Sequence, residues 1–182
     1  MYKLRELRRE DIPTINCWRN KPELIEYLGA PFRYINPDVD YKWFDNYMSS
    51  RSNSVRCAIV DHKFEDKILG LVSLVSINYV HGSAEFHIMI GNPENCGKGI
   101  GTFAAVEMLK HAFFNLNLRR VELGVLSTNI RAFNLYKKVG FKEEGIKRQA
   151  VYKNGKFIDI CMMGILKEEF NTNVCSHTKS EK

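Results

Sequence analysis

Residues 97–101 read Gly-Lys-Gly-Ile-Gly, directly after an apolar stretch at 86–90 and directly before a helical pattern that runs to about residue 114. A strand that ends in a glycine-rich turn and feeds a helix leaves the first-turn backbone N–H groups unpaired and pointing outward. The helix dipole favours negative charge at the same place, so the joint is a ready-made anion site. The segment constrains the chain to a strand-turn-helix unit and implies a phosphorylated ligand. Its ordinary alternative is a turn that only joins two elements.

Spacing separates the phosphate-loop patterns that compete for this segment. A P-loop needs four residues between its first glycine and the Gly-Lys pair, then Ser or Thr, whereas Gly91 and Gly97 enclose five and Gly99 follows Lys98. A dinucleotide fingerprint needs G-x-G-x-x-G after an early strand; here the glycines fall as G-x-G-x-G in mid-chain, although Glu122 lies at about the distance of its acidic partner. Cys96-Gly97-Lys98-Gly99-Ile100-Gly101 resembles the Q/R-x-x-G-x-G/A loop of the GNAT acetyltransferases at every position but the first, where Cys96 stands in place of Gln or Arg. A second motif follows in the order that family has it. Asn129-Ile130-Arg131-Ala132-Phe133-Asn134-Leu135-Tyr136-Lys137-Lys138-Val139-Gly140-Phe141 resembles the GNAT signature N-x-x-A-x-x-x-Y-x-x-x-G-F. The stretches Trp18-Arg19-Asn20-Lys21-Pro22-Glu23 and Tyr152-Lys153-Asn154-Gly155-Lys156-Phe157-Ile158-Asp159 resemble the RimJ/RimL-type branch, and the likeness covers roughly residues 2 to 170.

At 182 residues the chain suits one domain, able to bury about 70% of its unfolded surface around a single core. Its five cysteines, Cys17, Cys57, Cys96, Cys161 and Cys175, are odd in number and scattered. That argues against a zinc site or disulfide framework and for a reducing cytoplasm. No apolar run reaches the roughly 20 residues of a membrane span, and Met1-Tyr2-Lys3-Leu4-Arg5 opens no signal peptide. Lys plus Arg number 27 against 21 Asp plus Glu, a net charge of +6, but the basic residues are dispersed and form no nucleic-acid pattern. A polyanionic cofactor accounts for that balance.

The periodicities predict alternating elements. Strands are expected at 2–8, 55–61, 67–76, 84–90, 119–126, 142–151 and 157–166, and helices from Glu10-Asp11-Ile12-Pro13, at 22–29, 38–49, 99–114 and 130–139. The polar 61–66 stretch should separate two strands, and Asn154-Gly155 should turn a terminal hairpin. The resemblance implies the GNAT fold, an α+β (three-layer α/β) architecture in which a central mixed, mostly antiparallel twisted sheet of about seven strands is flanked by helices. One domain over 1–170 and a disordered polar tail over 171–182 complete the expectation.

The resemblance further implies transfer of an acetyl group from acetyl-CoA to a primary amine by direct attack in a ternary complex. An amine with a pKa of about 10.4 is neutral in about one molecule in a few thousand at pH 7, so a base is needed. Period-2 alternation in Ala84-Glu85-Phe86-His87-Ile88-Met89-Ile90 sets Glu85, His87 and Met89 on one face of a strand. Glu85 is the preferred base and His87 the partner or substitute, against the plainer reading of a solvated strand glutamate. Tyr136 matches the family tyrosine that protonates the leaving sulfur, although a tyrosine on such a helix is commonly core. The cofactor contacts the resemblance implies are the backbone at Ile88, Met89 and Ile90, which also holds the developing oxyanion, the loop residues Cys96, Gly97, Lys98, Gly99, Ile100, Gly101 and Thr102, and Asn129, Arg131, Ala132 and Tyr136. Asn129 equally reads as a helix N-cap.

Acceptor contacts are expected from Trp18, Arg19, Asn20, Phe32, Tyr34, Glu85 and Tyr152, with Arg33 and Trp43 beside them. Each has an ordinary reading as core anchor or surface residue. Residues 32–36 hold no acid, though Asp38, Asp40 and Asp45 follow, so a polyamine, an aminosugar nucleotide and a peptide N-terminus stay open, with a slight preference for the peptide. A non-catalytic acyl-CoA-binding or protein-interaction domain is the alternative. A homodimer fits the family and has no mark in the sequence.

Overall fold

The computed structural model describes residues 1–171, apart from the side chains of residues 65 and 66; all but the first residue of the expected tail lies outside the described residues. Seven strands form one sheet: β1 (Tyr2–Glu6), β2 (Val55–Asp61), β3 (Phe64–Asn78), β4 (Ser83–Ile90), β5 (Arg120–Leu126), β6 (Lys142–Lys153) and β7 (Lys156–Leu166), in the order β1-β2-β3-β4-β5-β7-β6. Every neighbouring pair is antiparallel except β4 and β5. A parallel pair needs a crossover, and α4 (Ile100–Lys110) supplies it.

The other helices are α1 (Ile12–Arg19), α2 (Pro22–Ile25), α3 (Pro37–Ser49) and α5 (Ile130–Val139). Proline stands in the first turn of α1, α2 and α3, where its missing N–H costs nothing. Asn36 caps α3 by accepting from the Asp38 N–H at 2.8 Å. Strand alternation then sorts the core into two layers. Ile59, Val72, Leu74, Phe86 and Val121 pack with Ile100, Ala104, Leu109 and Tyr136, which puts α4 and α5 on one face. Ala58, Val60 and Ile68 pack with Ile12, Ile15, Trp18, Leu24 and Phe44, which puts α1, α2 and α3 on the other.

Several boundaries depart from expectation. The helix predicted at 22–29 is a single turn, because Gly29-Ala30-Pro31 follows and little of the segment is buried beyond Leu24 and Ile25. The helix predicted to 114 leaves α-geometry at Lys110 and ends in a π turn over His111–Asn115. The polar 61–66 stretch does not separate strands; only His62 and Lys63 lie between β2 and β3, since an exposed hairpin end tolerates polar residues on both faces. β6 runs two residues further than predicted, to Lys153, and turns at Asn154 and Gly155, whose φ values of 49° and 79° suit a primed turn.

The parallel pair is short. β4 and β5 are in register only at Ser83–Arg120, Ala84–Val121 and Glu85–Glu122. Beyond Glu85, β4 remains paired to β3 through Ile90, and β5 remains paired to β7 through Leu126, so a seam opens between them. Along it one edge of each strand offers backbone N–H and C=O groups to whatever enters.

Candidate functional site

The glycine loop lies at the mouth of the seam. Gly97 and Gly99 hold φ of 82° and 79°, the left-handed region that glycine enters without strain. Gly99 is the N-cap of α4 and has no side chain to cap it, which leaves first-turn N–H groups free for an anion. Gly101 lets α4 and α5 approach closely: a Cβ there would stand 2.6 Å from the Leu135 side chain. Asn129 caps α5 by accepting from the Ala132 N–H at 3.1 Å, while its amide donates to the Tyr27 carbonyl at 3.0 Å. Arg131, one residue into α5, donates to the Cys96 sulfur at 2.9 Å. Among the described residues, neither Lys98 nor Arg131 has a carboxylate partner. The loop and the first turn of α4 thus offer unpaired N–H groups and cationic side chains that could hold a polyanion.

Glu85 and His87 share the face that turns toward α1, α2 and α3, where Met89 packs against the second core cluster. The His87 Nε2 lies 3.0 Å from a Glu85 carboxylate oxygen, and both side chains are half exposed. Glu122, beside Glu85 in register, is held by Arg120 at 2.9 Å, and Arg120 also pairs with Glu144. Glu85 is therefore the carboxylate at the start of the seam that no arginine occupies. Tyr136 is buried in the first core layer, edge-on to Phe86 at 6.1 Å and Phe141 at 5.7 Å. Burial pushes its phenol well above the ordinary range, so the group holds its proton. Its hydroxyl has no hydrogen-bond partner among the described residues.

The residues expected to contact the acceptor divide into two groups. Trp18 is only 4% exposed and lies flat against Gly91, where an added Cβ would come within 2.0 Å of the indole. It is a core anchor, a correction to its reading as an acceptor contact, and its large apolar ring explains the burial. Arg19 pairs with the buried Asp40, and Asn20 exchanges hydrogen bonds with the Ile35 backbone at 2.9 Å in both directions. Arg19 thereby ties α1 to α3, and Asn20 holds the segment that precedes α3. Trp43 stacks beneath the Arg56 guanidinium. Phe32 and Tyr34 form an edge-on pair, with Tyr34 fully open to solvent, and Tyr152 pairs with Phe157 on the exposed hairpin.

Two features had no mark in the sequence. Lys153 is buried and donates to the Ile25 and Ala30 carbonyls at 2.7 and 2.8 Å, and burial lowers its pKa. The hairpin tip thereby clamps the segment after α2, helped by Asn154 on Glu26 at 3.1 Å. Beside this clamp an open cavity of about 590 Å³ is lined by Glu26, Tyr27, Phe157 and Asp159 and by Lys153 and Lys156, among others.

The chain matches the acetyltransferase (GNAT) domain family over residues 2–142. It is 32% identical over 171 residues to a spermidine N(1)-acetyltransferase of Vibrio cholerae serotype O1, covering 92% of this chain and 94% of that one. A spermidine N(1)-acetyltransferase of Escherichia coli K12 is also 32% identical, over 92% of this chain and 87% of its own length. The crystal structure of spermidine N-acetyltransferase from Vibrio cholerae in complex with CoA and spermine superposes with a TM-score of 0.85 at 32% identity, covering 92% of this chain and 96% of that one. These matches reach the superfamily and go no finer toward the RimJ/RimL-type branch. With the loop, the signature helix, the seam and the seven-stranded sheet all in place, the chain belongs to the GNAT acetyltransferases and is an acetyl-CoA-dependent N-acetyltransferase.

Proposed function

We propose that the acceptor is an aliphatic polyamine of the spermidine type. What carries this reading is the similarity, over 92% of the chain, to enzymes named for spermidine acetylation. The cavity beside the hairpin clamp brings Glu26, Asp159, Tyr27 and Phe157 together with Lys153 and Lys156, so its lining is of mixed charge and does not by itself select a cation. The preference for a peptide N-terminus finds no support among these relatives. The same reading puts the protein in the cytoplasm, in keeping with the unpaired thiols of Cys17, Cys57, Cys96 and Cys161.

Acetyl-CoA supplies the acetyl group as a thioester. The chain's own residues then divide the proton work. Glu85, with His87 at 3.0 Å to orient it or share the charge, takes the proton that the attacking amine must lose. Tyr136 holds a proton for the departing sulfur, and its burial keeps that proton in place at neutral pH. Backbone N–H groups of Ile88 and Ile90 along the open edge of β4 hold the cofactor arm and steady the thioester carbonyl, whereas that of Met89 faces β3.

The test is a thiol-release assay with acetyl-CoA and an acceptor series of spermidine, spermine, putrescine, a free-N-terminal peptide and an aminosugar nucleotide, with the product identified by mass. Faster turnover of spermidine or spermine than of the other amines is expected. A peptide or sugar preferred tenfold would replace the polyamine, and no thiol release with any amine would favour a domain that binds acyl-CoA without transfer.

A further inference from the structure

A second open cavity, of about 670 Å³, lies where β1 ends at Glu6, β2 starts at Val55 and α4 passes into its π turn at His111. The start of β2 is level with Phe86 at the start of β4, whereas the glycine loop follows the far end of β4. The 11 residues of α4 separate the two places, about 16 Å of helix. Arg51, Arg56 and His111 line the cavity against one carboxylate, Glu6. That carboxylate is already engaged, since Arg51 pairs with it and the Tyr47 hydroxyl donates to it at 3.1 Å. The Arg56 guanidinium is left over. Its central carbon lies 5.2 Å from the Trp43 ring and 5.8 Å from the Tyr47 ring. Its buried Nε has no acceptor, and no carboxylate or carbonyl among the described residues meets its terminal N–H groups. Rings answer only the faces of a guanidinium, whose five donors all point outward in its plane. Burial lowers the pKa of this one, as expected of a charge deprived of water with no counter-charge, yet an arginine stays protonated. The fold thus holds a half-buried cation at a cost in stability, and such local costs concentrate where a protein has a further use for them. The Cys57 thiol on the same wall is not that use, because burial and Glu6 push its pKa up to about 11.

We infer that this cavity is a second ligand site, for a small organic oxyanion, a carboxylate or a phosphate ester. The charged group takes the terminal N–H groups of Arg56, and the apolar part lies against Tyr79 and Leu116. A guanidinium suits either oxyanion bidentately, and a fork already held by Trp43 and Tyr47 has little freedom left to lose on binding. The site is opposite in charge to one for a polyamine and lies at the other end of α4 from the glycine loop, so it stands whichever amine is the acceptor.

The test is a titration of the isotope-labelled full chain with benzoate, phenyl phosphate and spermidine at constant ionic strength, followed by amide and arginine N–H chemical shifts. Saturating shifts at residues 51–57 and 111–116 are expected with an anion, and whichever of the two binds tighter identifies the charged group. Arg56→Met is expected to weaken that binding about tenfold or more, and Arg56→Lys, which keeps the charge without the fork, by less. No shift with either anion, shifts confined to 97–101, or spermidine acting on these residues in place of the anions overturns the proposal. A lower Tm in Arg56→Met with anion binding intact also overturns it, by making the stacked guanidinium purely structural. If Arg56→Met does not fold, the location of the shifts and the loss in Arg56→Lys decide.

Discussion

Tyr136 and Glu85 carry the proton work of the proposed mechanism, and they differ in how exposed they are to test. Tyr136→Phe keeps the ring contacts with Phe86 and Phe141 and removes only the hydroxyl. Its kcat is expected to fall by roughly 10²-fold, within the usual range for a lost acid, with acetyl-CoA affinity nearly unchanged; an unaltered kcat would move the acid role elsewhere. Because burial raises the phenol above its ordinary value of about 10, the acid form persists as pH rises. The pH profile of kcat should therefore show no alkaline loss from this group below about pH 10, and a midpoint near 8 that vanishes in Tyr136→Phe would contradict that. The shared face of Glu85 and His87 was legible from alternation alone. The contact of Arg131 with Cys96 was not, since 35 positions separate them and no local pattern links a helix start to an earlier loop.

At the scale of elements, all seven strands were legible, because half-buried strands must alternate and their ends carry turn residues. What escaped were ends governed by tertiary contact. The segment after α2 is held in shape by Lys153, which lies 128 positions from the Ile25 carbonyl it meets. Lys153→Met would leave the Ala30 carbonyl without its donor, a loss of about 1–3 kcal/mol, while the Ile25 carbonyl keeps the Leu28 N–H at 3.0 Å. A lower Tm and a raised KM for the amine are expected, with acetyl-CoA affinity intact; if acetyl-CoA affinity falls instead, the clamp serves the cofactor side. The break of α4 into a π turn was equally hidden, as the apolar stripe continues through Ala112 and Phe113, both fully buried.

For the molecule as a whole, no helix among the described residues is long and apolar enough to cross a membrane, and the net charge of +6 suits a polyanionic ligand. Acetyl-CoA at about 100 times its Kd should stabilise the fold by roughly 2.7 kcal/mol. A Tm that ATP at equal ionic strength raises just as much would reduce the loop to a general anion site. The open seam gives this stabilisation a location. A sheet whose two halves meet at three register positions and then part is missing rungs, and the cofactor arm would act as their replacement. Ligand occupancy and sheet integrity are then one quantity. Amide hydrogen exchange should slow on binding along 86–90, the stretch of β4 that lacks a strand on that side, while the β2–β3 ladder, already closed on both sides, serves as the unchanging reference.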